Sequence, residues 1–243
     1  MNTLLILFFS FSLMLQGNPD ADEILEKVDQ NMSSKNRVVE STMIIHGRRG
    51  SRTITSRTYS VGDTKSFTEY LSPPREQGTK MLKLEDQLWI YSPDSDRTIQ
   101  ISGHMLRQSV MGSDLSYEDM MDDRKLQEVY NAEVSDETSI DGRRCYLLEL
   151  TAKVDDASYQ SRKMWIDTER YVPLRQELYA KGGQLLKRIS LSEVEKIEGR
   201  WFPMKMVYKD VLKQGDGTEF KVTSIRFNQD IPEFIFTKAA LKR

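Results

Sequence analysis

Along most of the chain apolar residues recur at spacings of two or four, the period that sends alternate side chains to opposite faces of a β-strand. Val39, Met43 and Ile45 start the pattern, Leu82/Leu84, Leu88–Tyr91 and Ile99/Ile101 continue it, and Tyr146/Leu148/Leu150, Leu174/Leu178, Leu185/Ile189/Leu191 and Phe202/Met204/Met206/Tyr208 extend it downstream. Gly62-Asp63, Asp141-Gly142, Lys181-Gly182-Gly183 and Gly215-Asp216-Gly217 punctuate these runs as turns, and Arg48-Arg49-Gly50-Ser51 reads as a hairpin tip. The pattern predicts about eleven strands joined by short turns, hence mostly antiparallel neighbours.

Two stretches follow a different rhythm. From Asp20 to Ser33 the spacing predicts a helix, with Asp20 or Asp22 as cap and Leu25, Val28 and Met32 on one face. Gly103–Asp123 holds Met105, Met111, Met120 and Met121, four of the chain's 12 methionines. Ser113 or Ser116 could cap a short helix there, and Gly103 and Gly112 mark bends. This segment reads either as a pair of short helices plugging the core or as a movable lid, since methionine suits surfaces that accept variable apolar shapes. A sheet dry on one face and wet on the other must curl or be covered. The available cover is the N-terminal helix, residues 103–123 and the tail from Pro232 to Arg243. The expected architecture is therefore mainly β (α+β): an unclosed, strongly curved antiparallel barrel with helices over its concave face, formed as one domain over residues 18–243.

The first residues read as an address. Met1–Pro19 carries no charged side chain and Leu4–Leu15 is almost wholly apolar, shorter than the roughly 20 residues that span a bilayer but the size of a signal-peptide core. Cleavage is expected after Gly17, with Ala21 as a second candidate and an uncleaved anchor as the alternative. The mature chain is then exported and soluble.

Composition narrows the function. The 243 residues hold 35 Lys+Arg against 37 Asp+Glu, a net charge of -2, which argues against a nucleic-acid binder. The single Cys145 with His46 and His104 makes too small a set for a structural zinc site, and no metal or cofactor is expected. No nucleophile elbow, P-loop or zinc-protease motif is present. His104 lies near Ser109, Ser113 and Asp114, but residue types so common do not define a triad; the expectation is no catalytic residue. His46 reads as a wet-face residue, Cys145 as a small buried apolar one, and Asp122-Asp123 and Asp155-Asp156 as solvated turns. Arg48, Arg49 and Arg52 form a compact basic cluster, either a solvated turn or a contact for a phosphate or an acidic partner.

One stretch carries a family resemblance: Phe67-Thr68-Glu69-Tyr70-Leu71-Ser72-Pro73-Pro74-Arg75-Glu76-Gln77-Gly78-Thr79-Lys80-Met81-Leu82-Lys83-Leu84, followed by Leu88-Trp89-Ile90-Tyr91-Ser92-Pro93. With Gly103–Met121 and Asp210–Thr218, it resembles the outer-membrane lipoprotein-sorting (LolA-like) family of exported bacterial proteins, over nearly all of the chain after the signal. The resemblance implies an unclosed barrel whose concave apolar face binds acyl chains of lipoproteins or lipids in the periplasm, acting as a monomer. On that basis Trp89, Tyr91, Met105, Leu106, Met111, Leu115, Met120, Met204 and Met206 are expected to face the ligand. The alternative is an accessory or sensor subunit of an inner-membrane exporter, docked through Arg48, Arg49 and Arg52.

Overall fold

The computed structural model describes residues 20–47, 50–122 and 124–243. The expected signal segment through Pro19, and Arg48 and Arg49 of the basic hairpin, lie outside the described residues.

Helix α1 (Ala21–Met32) starts where its cap predicts. The Asp20 carboxylate accepts the Asp22 N–H at 2.9 Å, and Asp22 and Glu23 place negative charge on the first turn. The strands β1 (Asn36–Gly47), β2 (Gly50–Val61), β3 (Lys65–Ser72), β4 (Lys80–Leu84), β5 (Gln87–Ser92) and β6 (Arg97–Ile101) form one meander. A second runs through β7 (Tyr130–Ile140), β8 (Arg143–Ala152), β9 (Ser161–Asp167), β10 (Pro173–Tyr179), β11 (Leu185–Ile197), β12 (Arg200–Asp210) and β13 (Thr218–Phe227). Pairing of β1 with β13 fuses them into one 13-stranded antiparallel sheet, in the order β6-β5-β4-β3-β2-β1-β13-β12-β11-β10-β9-β8-β7. The count exceeds the expected eleven. β7 is a mostly exposed edge strand with few apolar positions, and β9 interrupts its buried side with Arg162, so neither shows a clean apolar run.

The sheet is curled and unclosed. Register shifts at Glu40/Ser41, Thr55/Ser56, Val134/Asp136 and Leu178/Tyr179 bend it, as an extra residue on one strand of a pair does. The topology then fixes the rest. β6 and β7 lie at opposite ends of the strand order, so the chain between them must travel from one edge to the other. Residues 102–122 and 124–129 lie along that journey, across the inner face.

This crossover segment is less helical than its spacing suggested: a 3₁₀ turn at Gly103–Arg107, another at Val110–Gly112, and two short helices, α2 (Tyr117–Met121) and α3 (Leu126–Val129). Gly103 and Gly112 adopt φ of 54° and 75°, the left-handed bends a glycine permits without strain. Ser116 caps α2 reciprocally with Asp119: the Asp119 N–H donates to Ser116 Oγ at 3.2 Å, and the Ser116 N–H donates back to the carboxylate at 2.6 Å.

The C-terminal 3₁₀ turns, Glu233–Phe236 and Lys238–Lys242, pack on the outer face rather than in the mouth. There Phe236, Ala240 and Leu241 join Phe67, Leu82 and Trp89 in a buried cluster. No described helix is long and apolar enough to cross a membrane.

Candidate ligand-binding site

Two covers share the inner face. α1 sits over one end, burying Ala21, Ile24, Leu25 and Val28 against Tyr130, Leu148, Leu150, Met164 and Ile166. The crossover sits over the other, against Met43, Ile54, Tyr70, Met81, Leu88 and Ile101, which line up across β1–β6 (Met43 opposite Ile54, Leu88 opposite Ile101). From the crossover, Val110 and Leu115 are buried, while Met105, Leu106, Met111, Met120 and Met121 are half-buried. In the middle strands Val39, Met204, Met206 and Phe220 pack around buried Phe202, Val222 and Phe227 yet stay half-buried themselves. Met32 at the end of α1 reaches this group from one side, and Phe220 also touches the crossover's cluster. A methionine-rich strip therefore runs over the inner face from α1 to the crossover.

Trp89 and Tyr91 are elsewhere. Leu88 and Ile90 point to the crossover, so the period of two sends Trp89 and Tyr91 to the outer face. Trp89 is buried under the C-terminal turns, with Lys238 Nζ 4.1 Å from its ring centroid, and the Tyr91 hydroxyl donates to Asp96 at 3.3 Å. The expectation that they share a surface with Met105, Met111 and Met120 is corrected: the two sets lie on opposite sides of β5.

Polar groups tie the crossover to the sheet all along its length. Arg52 of β2 donates to the Met111 carbonyl and pairs with buried Glu76 at 3.3 Å. Asp114 accepts from the Thr218 hydroxyl at 2.9 Å and from the Asp210 N–H at 3.0 Å, while the Asp114 N–H donates to Thr218 Oγ1. Gly217 makes room for this junction: its φ is +92°, and a Cβ there would lie 2.4 Å from the Tyr208 carbonyl oxygen. Lys213 Nζ donates to Ser109 Oγ at 2.6 Å, and Lys83 Nζ donates to the Met121 carbonyl at 3.0 Å.

The most buried ties are ionic. Lys187 of β11 pairs with Asp119, and Arg162 of β9 with Asp122; all four side chains are about nine-tenths buried, at 11%, 10%, 10% and 12% exposure. The Tyr159 hydroxyl donates to Asp119, and Arg162 Nε donates to the Tyr130 hydroxyl at 2.8 Å. The Arg162 guanidinium lies 4.8 Å from the Tyr130 ring centroid and 5.5 Å from that of Tyr159. Burial pushes the Asp119 carboxyl upward, but the Lys187 charge and hydrogen bonds from Lys187, Ser116 and Tyr159 outweigh it and hold it below the usual carboxylate range. Burial drives the Tyr159 hydroxyl in the opposite direction, well above its ordinary value.

These ties revise one further expectation. Asp122 is not a solvated turn residue but half of a buried pair. Arg52, its side chain 37% exposed, donates to the Met111 carbonyl and pairs with Glu76, so the one described member of the basic cluster is also engaged within the molecule. The sequence-neighbouring Ser, His and Asp do not assemble: Asp114 is engaged by Thr218 and Asp210, the Ser113 hydroxyl donates to the Leu115 carbonyl, and His104 is exposed. Cys145 is buried, and His46 Nδ1 lies 2.9 Å from Ser51 Oγ. Among the described residues no group of three or more His, Cys, Asp and Glu could hold a metal ion.

Comparison with known proteins places this geometry. A family model described as "Uncharacterized protein" matches residues 62–243. The chain belongs to that family. Its fold is LolA-like. A structure described as an outer membrane lipoprotein-sorting protein domain from Vibrio parahaemolyticus superposes with a TM-score of 0.78 at 24% identity, covering 92% of this chain and 100% of that one. A DUF1329 family protein from Desulfovibrio piger gives 0.80 at 27% identity, covering 90% and 96%. A LolA superfamily protein from Nitrosomonas europaea gives 0.76 at 24% identity, covering 90% and 98%. No curated protein matches the chain.

Proposed function

We propose that this protein is a periplasmic carrier that holds acyl chains of a lipid or lipoprotein on its inner face and releases them toward the outer membrane. The observation that carries the reading is the half-buried strip of Val39, Met204, Met206 and Phe220, continuous with Met105, Met111 and Met120 of the crossover. Each methylene taken from water contributes about 0.8 kcal/mol, so ten methylenes along this strip offer on the order of 8 kcal/mol before ordering costs. Such a site needs no hydrogen-bond code and no catalytic group. Methionine, flexible and polarizable, conforms to chains of different length, and the crossover acts as the lid.

Uptake of a fluorescent fatty acid tests the reading. Replacing Met105, Met111 and Met120 together with Ser weakens uptake at least several-fold while the far-ultraviolet spectrum is unchanged. Full uptake by the triple variant refutes the lid's part in binding. Absence of uptake by the unsubstituted protein, with no lipid co-purifying from its host, refutes the carrier.

A further inference from the structure

The carrier reading uses the apolar strip and leaves unexplained two cations, Lys187 and Arg162, that stand nine-tenths buried on the inner face. Apolar packing would hold a permanent lid more cheaply. Buried ion pairs are often no more stabilising than well-packed apolar replacements, whereas a buried charge stripped of its partner is very unfavourable. These pairs thus contribute less to lid stability than to a condition on lid opening: Asp119 and Asp122 leave most readily when another anion takes their place.

The surroundings supply a route for one. A cleft of about 710 Å³ opens between the crossover and the β8–β9, β10–β11 and β12–β13 connections, and Lys187, Ser116 and Tyr159 are part of its wall. Exposed Arg107, Lys153 and Lys181 stand around its mouth. Asp114, Glu118, Asp155 and Asp210 share the cleft, with Lys213 beside Asp210, so the attraction is local to Lys187 rather than spread over the rim. Tyr159, part of the cleft wall, has its ring centroid 6.0 Å from Lys187 Nζ and 5.5 Å from the guanidinium of Arg162, which lies behind that wall. Arg162 is already oriented by Tyr130, and a guanidinium held in place suits the oxygens of a phosphate.

Resting on the carrier reading, we infer that Lys187 and Arg162 form an anion-exchange site for the phosphate head of an amphiphile: the lid carboxylates of Asp119 and Asp122 occupy it when the protein is empty, and an incoming phosphate displaces them and frees the lid. The substrate class narrows accordingly, from acyl chains in general to acyl chains that carry a phosphate.

The test compares oleoyl lysophosphatidic acid with monooleoylglycerol, which has the same tail and no phosphate, both below their critical micelle concentrations, with inorganic phosphate as a third arm. Lid opening is read by amide hydrogen exchange over residues 103–121. The inference predicts at least tenfold tighter binding of the phosphate lipid and faster lid exchange when it binds. It also predicts loss of that preference, with monooleoylglycerol binding retained, in the double variant Lys187→Met/Asp119→Leu, which swaps the pair for apolar side chains and so leaves no orphaned charge. Lys187→Arg keeps the preference. Equal affinity for the two lipids, or a preference that survives in the double variant, overturns the anion site and leaves the carrier reading intact. If neither lipid binds, the carrier reading fails, and the phosphate arm decides alone: faster lid exchange in millimolar phosphate supports the site, and unchanged exchange overturns it.

Discussion

α1 and the crossover segment cover the same inner face by different physics. α1 docks through Ala21, Ile24, Leu25 and Val28, all at 7% exposure or less, and burial of that kind is lost only when the helix leaves. The crossover lays half-buried methionines on the sheet and fastens them with Arg52, Lys83, Lys187 and Arg162. Apolar burial is non-directional and always present in water. A charged tie depends on pH and on the presence of competing ions. On the proposed carrier reading, the difference separates a fixed wall from a releasable one.

The sharpest break of this comparison is a cavity under the fixed wall. Leu25→Ala removes a fully buried side chain and lowers global stability by about 3 kcal/mol, read as a shift in the urea midpoint; a change below about 1 kcal/mol would place α1 with the loosely held elements. Asp119→Ala strands the Lys187 ammonium, a cost of about 3 kcal/mol if the segment stayed in place. A releasable segment escapes that cost by opening. The expected outcome is accelerated amide exchange confined to residues 103–121, with the urea midpoint moving less than in Leu25→Ala. Ser116→Ala removes the α2 cap and costs about 1 kcal/mol, again local to the crossover. At the small end, Arg144→Ala breaks an exposed pair with Glu137 and leaves the urea midpoint essentially where it was.

Acid sharpens the same contrast. Because Asp119 titrates below its ordinary value of 3.8 when folded, its pairing stabilises the closed segment fully above that value and is lost as the pH falls through the lower folded one. Exchange over residues 103–121 therefore rises as the pH is lowered below about 4, after correction for intrinsic rates, while exchange in α1 does not follow. Parallel loss of protection in both covers would erase the distinction.

Much of the fold was legible because alternation is the strongest signal a half-buried strand leaves. α1, its Asp20 cap, the Ser116 cap and the bends at Gly103 and Gly112 all follow from local chemistry. The faces of β5 were not legible. Leu88, Trp89, Ile90 and Tyr91 are all apolar, because this part of the sheet is covered on both sides, so nothing in the strand says which pair looks inward. Arg162, Lys187 and Asp122 were missed because charged residues are normally wet. A signal existed: Arg162 is in phase with Met164 and Ile166, and Lys187 with Ile189 and Leu191, so each cation stands on the apolar side of its strand. A charge in phase with a dry face marks a buried partner, though the partner's identity depends on where the crossover lands.

The most direct measurement is photolabelling with a diazirine-bearing fatty acid followed by peptide mapping. Adducts at Met204, Met206 or Phe220 and on residues 105–121 are expected, competed away by unlabelled fatty acid. Adducts confined to the outer face around Trp89 and Tyr91, or none that compete, would contradict a ligand held on the inner face.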